Sequence, residues 1–517
     1  MIRAMTLLLA LVASSDVAAS EAWQATSERL EIQGRFEPHI GGLRIGVFQD
    51  WVLTLTDSKG EPVSSARISI NGGMPGHGHG LPSQPEVTRY LGHGRYLVEG
   101  MLFNMSGDWV LTFTLATSEG QDLLAVRLDL DDLVKDSLTV LASMRLDSET
   151  APPPSPSNRF ADEPRAASFG EALFFDSRFS LDGTLSCASC HQPSRYFTDG
   201  KQRGEGVHRS GRNTPTVVGS AYQTWFYWDG RRDSLWSQAL VPFEAADEMG
   251  SSRLQVIRVI ANDERYRSAY EVVFGPLPDT VTATGLPEHA GPLGTSAMRD
   301  AWYRLPAVVR NDVNTAYVNV GKALEAYQRT LRIPRSRFDE YVDALIAGGA
   351  DKSDSLTADE QKGLALWLDT EKTHCMRCHN GPRFTNEGFS NIGTGTFSGT
   401  SLDFGRVYGI RAVVTDEFNC GGPYSDAGDN QCAHLRFLNS SAHVPLEGAF
   451  KVPSLRNVAK TAPYMHDGRF SSLRDVIEHY RNPPQNSGDH ELVPLELSDE
   501  EVSQLVSFIE SLSAVPQ

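Results

Sequence analysis

Beyond residue 20 the chain has no apolar run long enough to cross a bilayer, so no membrane-spanning segment is expected in the mature protein. Positive charge is scarce. Lys and Arg number 47 against 65 Asp and Glu, a net charge of −18. That balance argues against nucleic acid or an anionic membrane surface as partner, and it permits attraction to a basic one. No cysteine stands at the cleavage point that follows the short apolar run "MTLLLALVA", so a lipid anchor is not expected. Arg3 before that run and the small residues of "DVAAS" after it read as a secretory signal over residues 1–20. An exported, periplasmic protein without stable membrane insertion is the expectation. Cysteine is sparse too, six in 517 residues, yet four of the six fall in two pairs of identical spacing.

The length suits about three domains. Residues 21–147 carry short runs rich in β-branched and aromatic residues, "WVLTLTD", "ARISING", "RYLVEG", "DWVLTFTLAT" and "LAVRLDL", divided by turn clusters. They predict a β-sandwich. The Pro- and Ser-rich stretch 148–160 reads as an extended linker. Helical periodicity then takes over in "SSRLQVIRVIAND", "AYVNVGKALEAYQRTL" and "LTADEQKGLALWLD", with long Gly- and Pro-rich loops between. We divide this part at residue 354, giving domains 161–354 and 355–517, each with one CxxCH. Thr357 is the expected cap of the helix that opens the second.

The motifs are "CASCH" (Cys187, Cys190, His191) and "CMRCH" (Cys375, Cys378, His379). Two thiols three residues apart can form thioethers with the two vinyl groups of one haem, and the adjacent histidine can bind its iron. A zinc ribbon would bring its two pairs closer in sequence, about 15–20 residues apart. A redox CxxC has no need of the histidine. Two covalent c-type haems are therefore expected. Cys420 and Cys432, left over around a Gly- and Asp-rich loop, are expected to form a disulfide.

From "LFFDSRFS", "SCASCHQP", "GRNTPTV", "YWDGRRDSLWSQALVPFEAADEM", "CMRCHNGPRFTN" and "FKVPSLRNVAKTAPYMHDGRF", residues 165–515 resemble the diheme cytochrome c peroxidase and MauG family. The resemblance implies two mainly α-helical cytochrome c-like domains behind the sandwich. It also implies that hydrogen peroxide reacts at the haem on His191, in a pocket formed by Gln238, Pro242 and Glu248. A partly buried carboxyl there suits proton transfer between the two peroxide oxygens. Trp228 matches the family's inter-haem tryptophan. Asn213, Thr461 and Pro463 match its calcium ligands, whose oxygens are of the kind calcium takes.

Tyr480 follows Leu473, Val476 and Ile477 on one face of an expected helix capped by Ser472 and Asp475, so pattern alone makes it a packing aromatic. In the family, the position fourteen residues after the "PYxHDG" histidine carries methionine in peroxidases and tyrosine in MauG-like members. Counted from His466, that position is Tyr480. The resemblance thus implies Tyr480 as axial ligand of the second haem. It favours oxidation of a protein side chain over peroxide removal with electrons from a small donor protein. A non-enzymatic electron carrier or copper-handling protein is the third alternative. One departure stands out: Thr373 occupies the place of the MauG tryptophan two residues before the second motif, with Trp367 as a possible substitute.

The front domain resembles the YtkA-like family. Its "GGMPGHGHGLP" holds Met74, His77 and His79, and Met105 lies nearby. Imidazole with thioether sulfur suits copper, and a Gly-rich surface loop is the alternative.

Overall fold

Alternation of buried and less buried positions along the longer strands makes the front of the chain a pair of facing sheets. Trp109, Leu111, Phe113 and Leu115 point one way along one strand, and Leu124, Val126 and Leu128 point the same way along the next, all buried. The computed structural model describes residues 22–40, 43, 47–75, 79–103, 107–130, 137–147, 151–348, 355–395, 403–438, 446–484 and 490–514. The expected signal at 1–20, His77 and Met105 lie outside the described residues, as does the side chain of His79.

Nine strands are described in the sandwich: β1 (Trp23–Thr26), β2 (Gln33–Pro38), β3 (Gln49–Thr56), β4 (Arg67–Met74), β5 (His79–Gly80), β6 (Glu86–Gly92), β7 (Arg95–Met101), β8 (Asp108–Thr117) and β9 (Gly120–Asp129). They form one sheet in the order β1-β2-β3-β7-β6 and a second in the order β5-β4-β8-β9, with every pairing antiparallel. Between the sheets Phe36 stacks on Trp51 at 4.6 Å.

Behind the sandwich the chain is mainly helical and holds two further cores. The first packs the helices Pro164–Phe175, Leu235–Glu244 and Ala307–Gln328. Gly170 and Gly321 permit this closeness, since a Cβ on either would strike a backbone carbonyl of the neighbouring helix, Ala323 O or Trp236 O. The second joins the helices Ala358–Leu368, Leu473–Arg481 and Asp499–Ser511. Thr357 caps the first of these, and its Oγ1 accepts from the Glu360 amide. Two helices from earlier in the chain, Ser137–Met144 and Arg337–Ile346, also pack into this second core.

One buried cation ties them there. The Arg456 guanidinium donates to both carboxylate oxygens of Asp339, at 2.7 and 2.8 Å, and to Met144 O at 3.0 Å. Arg456 and Asp339 are 4% and 0% exposed. Replacing Arg456 with leucine strands the Asp339 charge, so a loss of about 3–5 kcal/mol is expected in the denaturant-induced unfolding of this unit.

Over its described part, 151–160, the expected linker has no helix or strand, turns at 156–157 and 159–160, and is packed against the helices. Trp236 Nε1 donates to Ser157 Oγ at 3.0 Å, and Asn158 Nδ2 to Lys322 O at 3.1 Å. Proline blocks regular structure without preventing side chains from finding buried partners.

Cys420 and Cys432 form the expected disulfide. Its loop braces three parts of the molecule. Cys420 N–H donates to Asp233 at 2.8 Å, and Lys322 Nζ donates to Tyr424 O at 3.0 Å. At the far end Phe437 fills a notch in the sandwich at Gly100, where any Cβ would strike its ring. The Gln84 amide donates to Phe437 O at 2.8 Å, and Arg436 lies 3.6 Å from Glu99.

Candidate haem and peroxide site

Each CxxCH forms a single helical turn, Cys187–Cys190 and Cys375–Cys378, with the histidine amide donating back to the first cysteine's carbonyl at 2.9 Å. His191 Nδ1 lies 3.2 Å from Phe197 O, and His379 Nδ1 lies 3.0 Å from Phe384 O. A carbonyl only accepts, so each Nδ1 carries the proton and each Nε2 is left as a metal-ligating lone pair. Burial pushes both imidazoles towards the neutral form, His379 down to about 4. Burial likewise raises all four thiols, Cys187 and Cys378 to about 12 and Cys190 and Cys375 to about 11. None of the four is in a disulfide, and all keep partial exposure within otherwise packed surroundings. Paired free thiols and an oriented imidazole fit a covalently held haem at each motif.

Beside the first motif lies a cavity of about 60 Å³. Cys187, Cys190 and His191 line it together with Gln238, Pro242 and Glu248, so the structure brings all six expected residues to one space. Gln238 and Pro242 sit one turn apart on the helix Leu235–Glu244, which puts them on the same face. Glu248 is held by its backbone. Its carbonyl accepts from the Val207 amide at 2.7 Å, and Gly206 lies so close that a Cβ there would strike the carbonyls of Asp247 and Glu248. Burial, reinforced by Asp247 and opposed by Arg231, raises the Glu248 carboxyl to about 7.

The second half repeats this construction. Phe226 bridges Arg232 as Tyr464 bridges Phe470, in the same antiparallel sense. Gly230 and Gly468 have φ of 68° and 66°, and Tyr227 and Met465 have φ of 68° and 72°. Asp229 pairs with Arg231, and Asp467 with Arg469, each at 2.9 Å. Ser234 and Ser472 then open the helices Leu235–Glu244 and Leu473–Arg481. Twelve residues after its glycine, the first half places Pro242 and the second Tyr480. The pyrrolidine ring has no donor atom, whereas the phenol has one. The Ser472–Asp475 capping box forms as expected, Leu473 and Ile477 are buried, and Tyr480 is half-buried. Burial raises the Tyr480 phenol, and Cys378 and Cys375 raise it further, so its oxygen shares the environment of the second motif.

Trp228 and Asn213 lie where the halves join. Trp228 Nε1 donates to Asn213 O at 3.1 Å, and the Asn213 amide donates to His466 O at 2.9 Å. That contact sets Asn213 against the segment carrying Thr461 and Pro463. Thr373 Oγ1 donates to Leu366 O at 2.7 Å, which closes the turn before the second motif. Trp367 is buried, its ring 6.1 Å from that of His379. In the sandwich Met74 is buried and stands opposite His79 in the β4–β5 register. Asp233, Cys420 and His434 also cluster at metal-ligand spacing, but the Cys420 sulfur is taken by its disulfide, and His434 Nε2 lies 3.2 Å from Asp233 instead.

The methylamine utilization protein MauG of Methylorubrum extorquens is 32% identical over 68% of this chain and 79% of its own length. The chain belongs to the diheme cytochrome c peroxidase and MauG family. The family model described as di-haem cytochrome c peroxidase matches residues 164–345, and a YtkA-like model matches 39–114. The cytochrome c551 peroxidase of Pseudomonas aeruginosa is 28% identical over 66% of this chain and 77% of its own. A variant of the diheme peroxidase BthA from Burkholderia thailandensis shares the fold, with TM-score 0.50 and 22% identity over 72% of this chain and 90% of that one. As a member of this family the protein is a haem-dependent, peroxidase-type oxidoreductase.

Sequence reasoning missed Arg231 and Arg406. The "DGR" shared by residues 229–231 and 467–469 is the signal that could have exposed the repeat and, with it, Arg231. Arg406 has no such signal.

Proposed function

We propose that this chain is a periplasmic diheme enzyme that uses hydrogen peroxide to oxidise a side chain of another protein, in the manner of MauG. The observation that carries the proposal is the pairing of Pro242 with Tyr480 at equivalent points of two like halves. Pro242 would offer a haem held at the first motif no donor atom, whereas Tyr480 would offer one held at the second a phenol oxygen. Bound haem would supply the electrons that break the peroxide O–O bond and store the oxidising equivalents. The haems would be held through Cys187, Cys190 and His191, and through Cys375, Cys378, His379 and Tyr480.

The protein's own part is proton handling and positioning. Glu248, as carboxylate, accepts the proton from the inner peroxide oxygen and returns it to the outer one, which leaves as water. Gln238 and Pro242 shape the pocket around that transfer. Trp228 relays electrons between the halves. Asn213, Thr461 and Pro463 would hold calcium at the joint, with their oxygens as ligands. Copper in the front domain would rest on Met74 and His79, which are paired in the β4–β5 register, with His77 beyond the described residues.

A second reading is cytochrome c peroxidase activity with a small donor protein. Thr373 in place of the MauG tryptophan favours it, as does a net charge of −18 that would attract a basic donor. Ferric holoprotein mixed with one equivalent of peroxide separates the two. Under the MauG-like proposal the oxidised spectrum persists without any donor. Failure of any oxidised spectrum to persist without donor, together with sustained peroxide turnover once reduced donor is supplied, would replace that proposal with the second reading.

A further inference from the structure

Three consecutive carbonyls of the tryptophan loop are held by donors from the other half of the molecule. Trp228 O accepts from the Lys451 amide at 2.7 Å. Asp229 O and Gly230 O accept from a single guanidinium nitrogen of Arg406, at 3.4 and 2.7 Å. Arg406 opens the helix Arg406–Thr415 and is 3% exposed. Its guanidinium lies between two rings, 4.1 Å from the centre of Trp225 and 4.0 Å from that of Phe389.

This is a costly way to join two domains. The nearby Asp229 carboxylate pairs with Arg231 and not with Arg406. Burial pulls the Arg406 pKa down to about 9, which still leaves it charged at neutral pH, and the field of Asp229 favours the charge. The cation is compensated by ring quadrupoles and carbonyl dipoles. An apolar side chain would fill the same space without that desolvation. What the guanidinium adds is direction, because its donors are rigid and reach two particular carbonyls. Two glycines make room for it. A Cβ on Gly230 would strike Arg406 and Phe389, and a Cβ on Gly409 would strike Asp229 O. The helix therefore sits directly on the backbone that carries the indole.

We propose that Arg406 is a positioning residue for Trp228, fixing the loop that carries the indole and so setting electron transfer between the two haem sites. The proposal rests on the relay role given to Trp228 above. The step it serves moves one electron from one haem site to the other and makes or breaks no bond.

The test uses the holoprotein carrying a single reducing equivalent and follows redistribution of that electron between the two haems after photolysis. Arg406→Leu is expected to slow redistribution by about tenfold or more, the scale on which small misplacements act. Arg406→Lys, which keeps the charge but loses the planar fork, falls between the leucine variant and wild type. Amide hydrogen exchange across residues 225–232 rises in Arg406→Leu, and this readout is independent of turnover. In a Trp228→Phe background Arg406→Leu adds no further slowing. If Trp228→Phe slows redistribution and Arg406→Leu does not, the role of Arg406 is overturned and the relay stands. If Trp228→Phe itself leaves the rate unchanged, the relay fails and takes Arg406 with it. Should Arg406→Leu fail to fold, a wild-type rate in Arg406→Lys overturns the proposal.

Discussion

Replacing Glu248 with glutamine slows the reaction of the ferric protein with hydrogen peroxide by about 10²–10⁴-fold, the usual contribution of a positioned proton carrier. The substitution keeps the shape of the side chain and removes only its basic form. In the wild type the accepting species is the carboxylate, and burial has raised its pKa from 4.5 to about 7. The rate is therefore low below that pH, climbs through it and levels off above. In the glutamine variant this step in the profile disappears. The sign for stability runs the other way. A raised carboxyl pKa means the folded state holds the proton more tightly than the unfolded chain does, so stability falls as pH rises through about 7. Glu248→Gln removes that loss, and its melting temperature at alkaline pH is expected to equal or exceed that of wild type. Stopped-flow mixing with peroxide across the pH range decides the matter. A variant as fast as wild type would leave Glu248 with no part in the chemistry.

Tyr480→Met raises the midpoint potential of the second haem, by on the order of 100 mV or more within the ~0.8 V span that axial ligands command. A phenolate is hard and anionic and stabilises ferric iron. A thioether is soft and neutral and stabilises ferrous iron. Burial raises the pKa of the phenol, so protein alone keeps it protonated, and only a bound metal would draw the proton off. The helix that presents Tyr480 is closed at its start by Ser472 and Asp475, so the methionine enters on the same backbone. Spectroelectrochemical titration of holoprotein, with EPR of the ferric state, reads the change. An unaltered potential and spectrum would place Tyr480 away from the metal.

What could be read in advance was local. The alternation that marks Asp108–Thr117, the Ser472 cap and the sorting of six cysteines into two motifs and one bridge all lie within short windows of sequence. The grouping of Glu248 with His191 came through family likeness, and the cavity now supplies its geometry. What was not legible depends on distant pairings. Arg406 meets Gly230 across 176 positions, and Arg456 meets Met144 across 312. Neither arginine differs in its neighbourhood from one on the surface. The repeat was hidden for a related reason. Its two halves share backbone angles, an Asp–Arg pair and the Ser–Leu that opens each helix, while most other side chains differ between them.

The seat of Phe437 in the notch at Gly100 has a further consequence. A tail residue of the disulfide brace plugs the sandwich, and the other end of that brace grips Asp233, beside the cap of the helix carrying Gln238 and Pro242. The front module is thus moored and does not trail on a tether. In solution scattering the holoprotein should tumble as one particle of constant outline, and anything captured by the sandwich would be presented to the catalytic part at a fixed bearing.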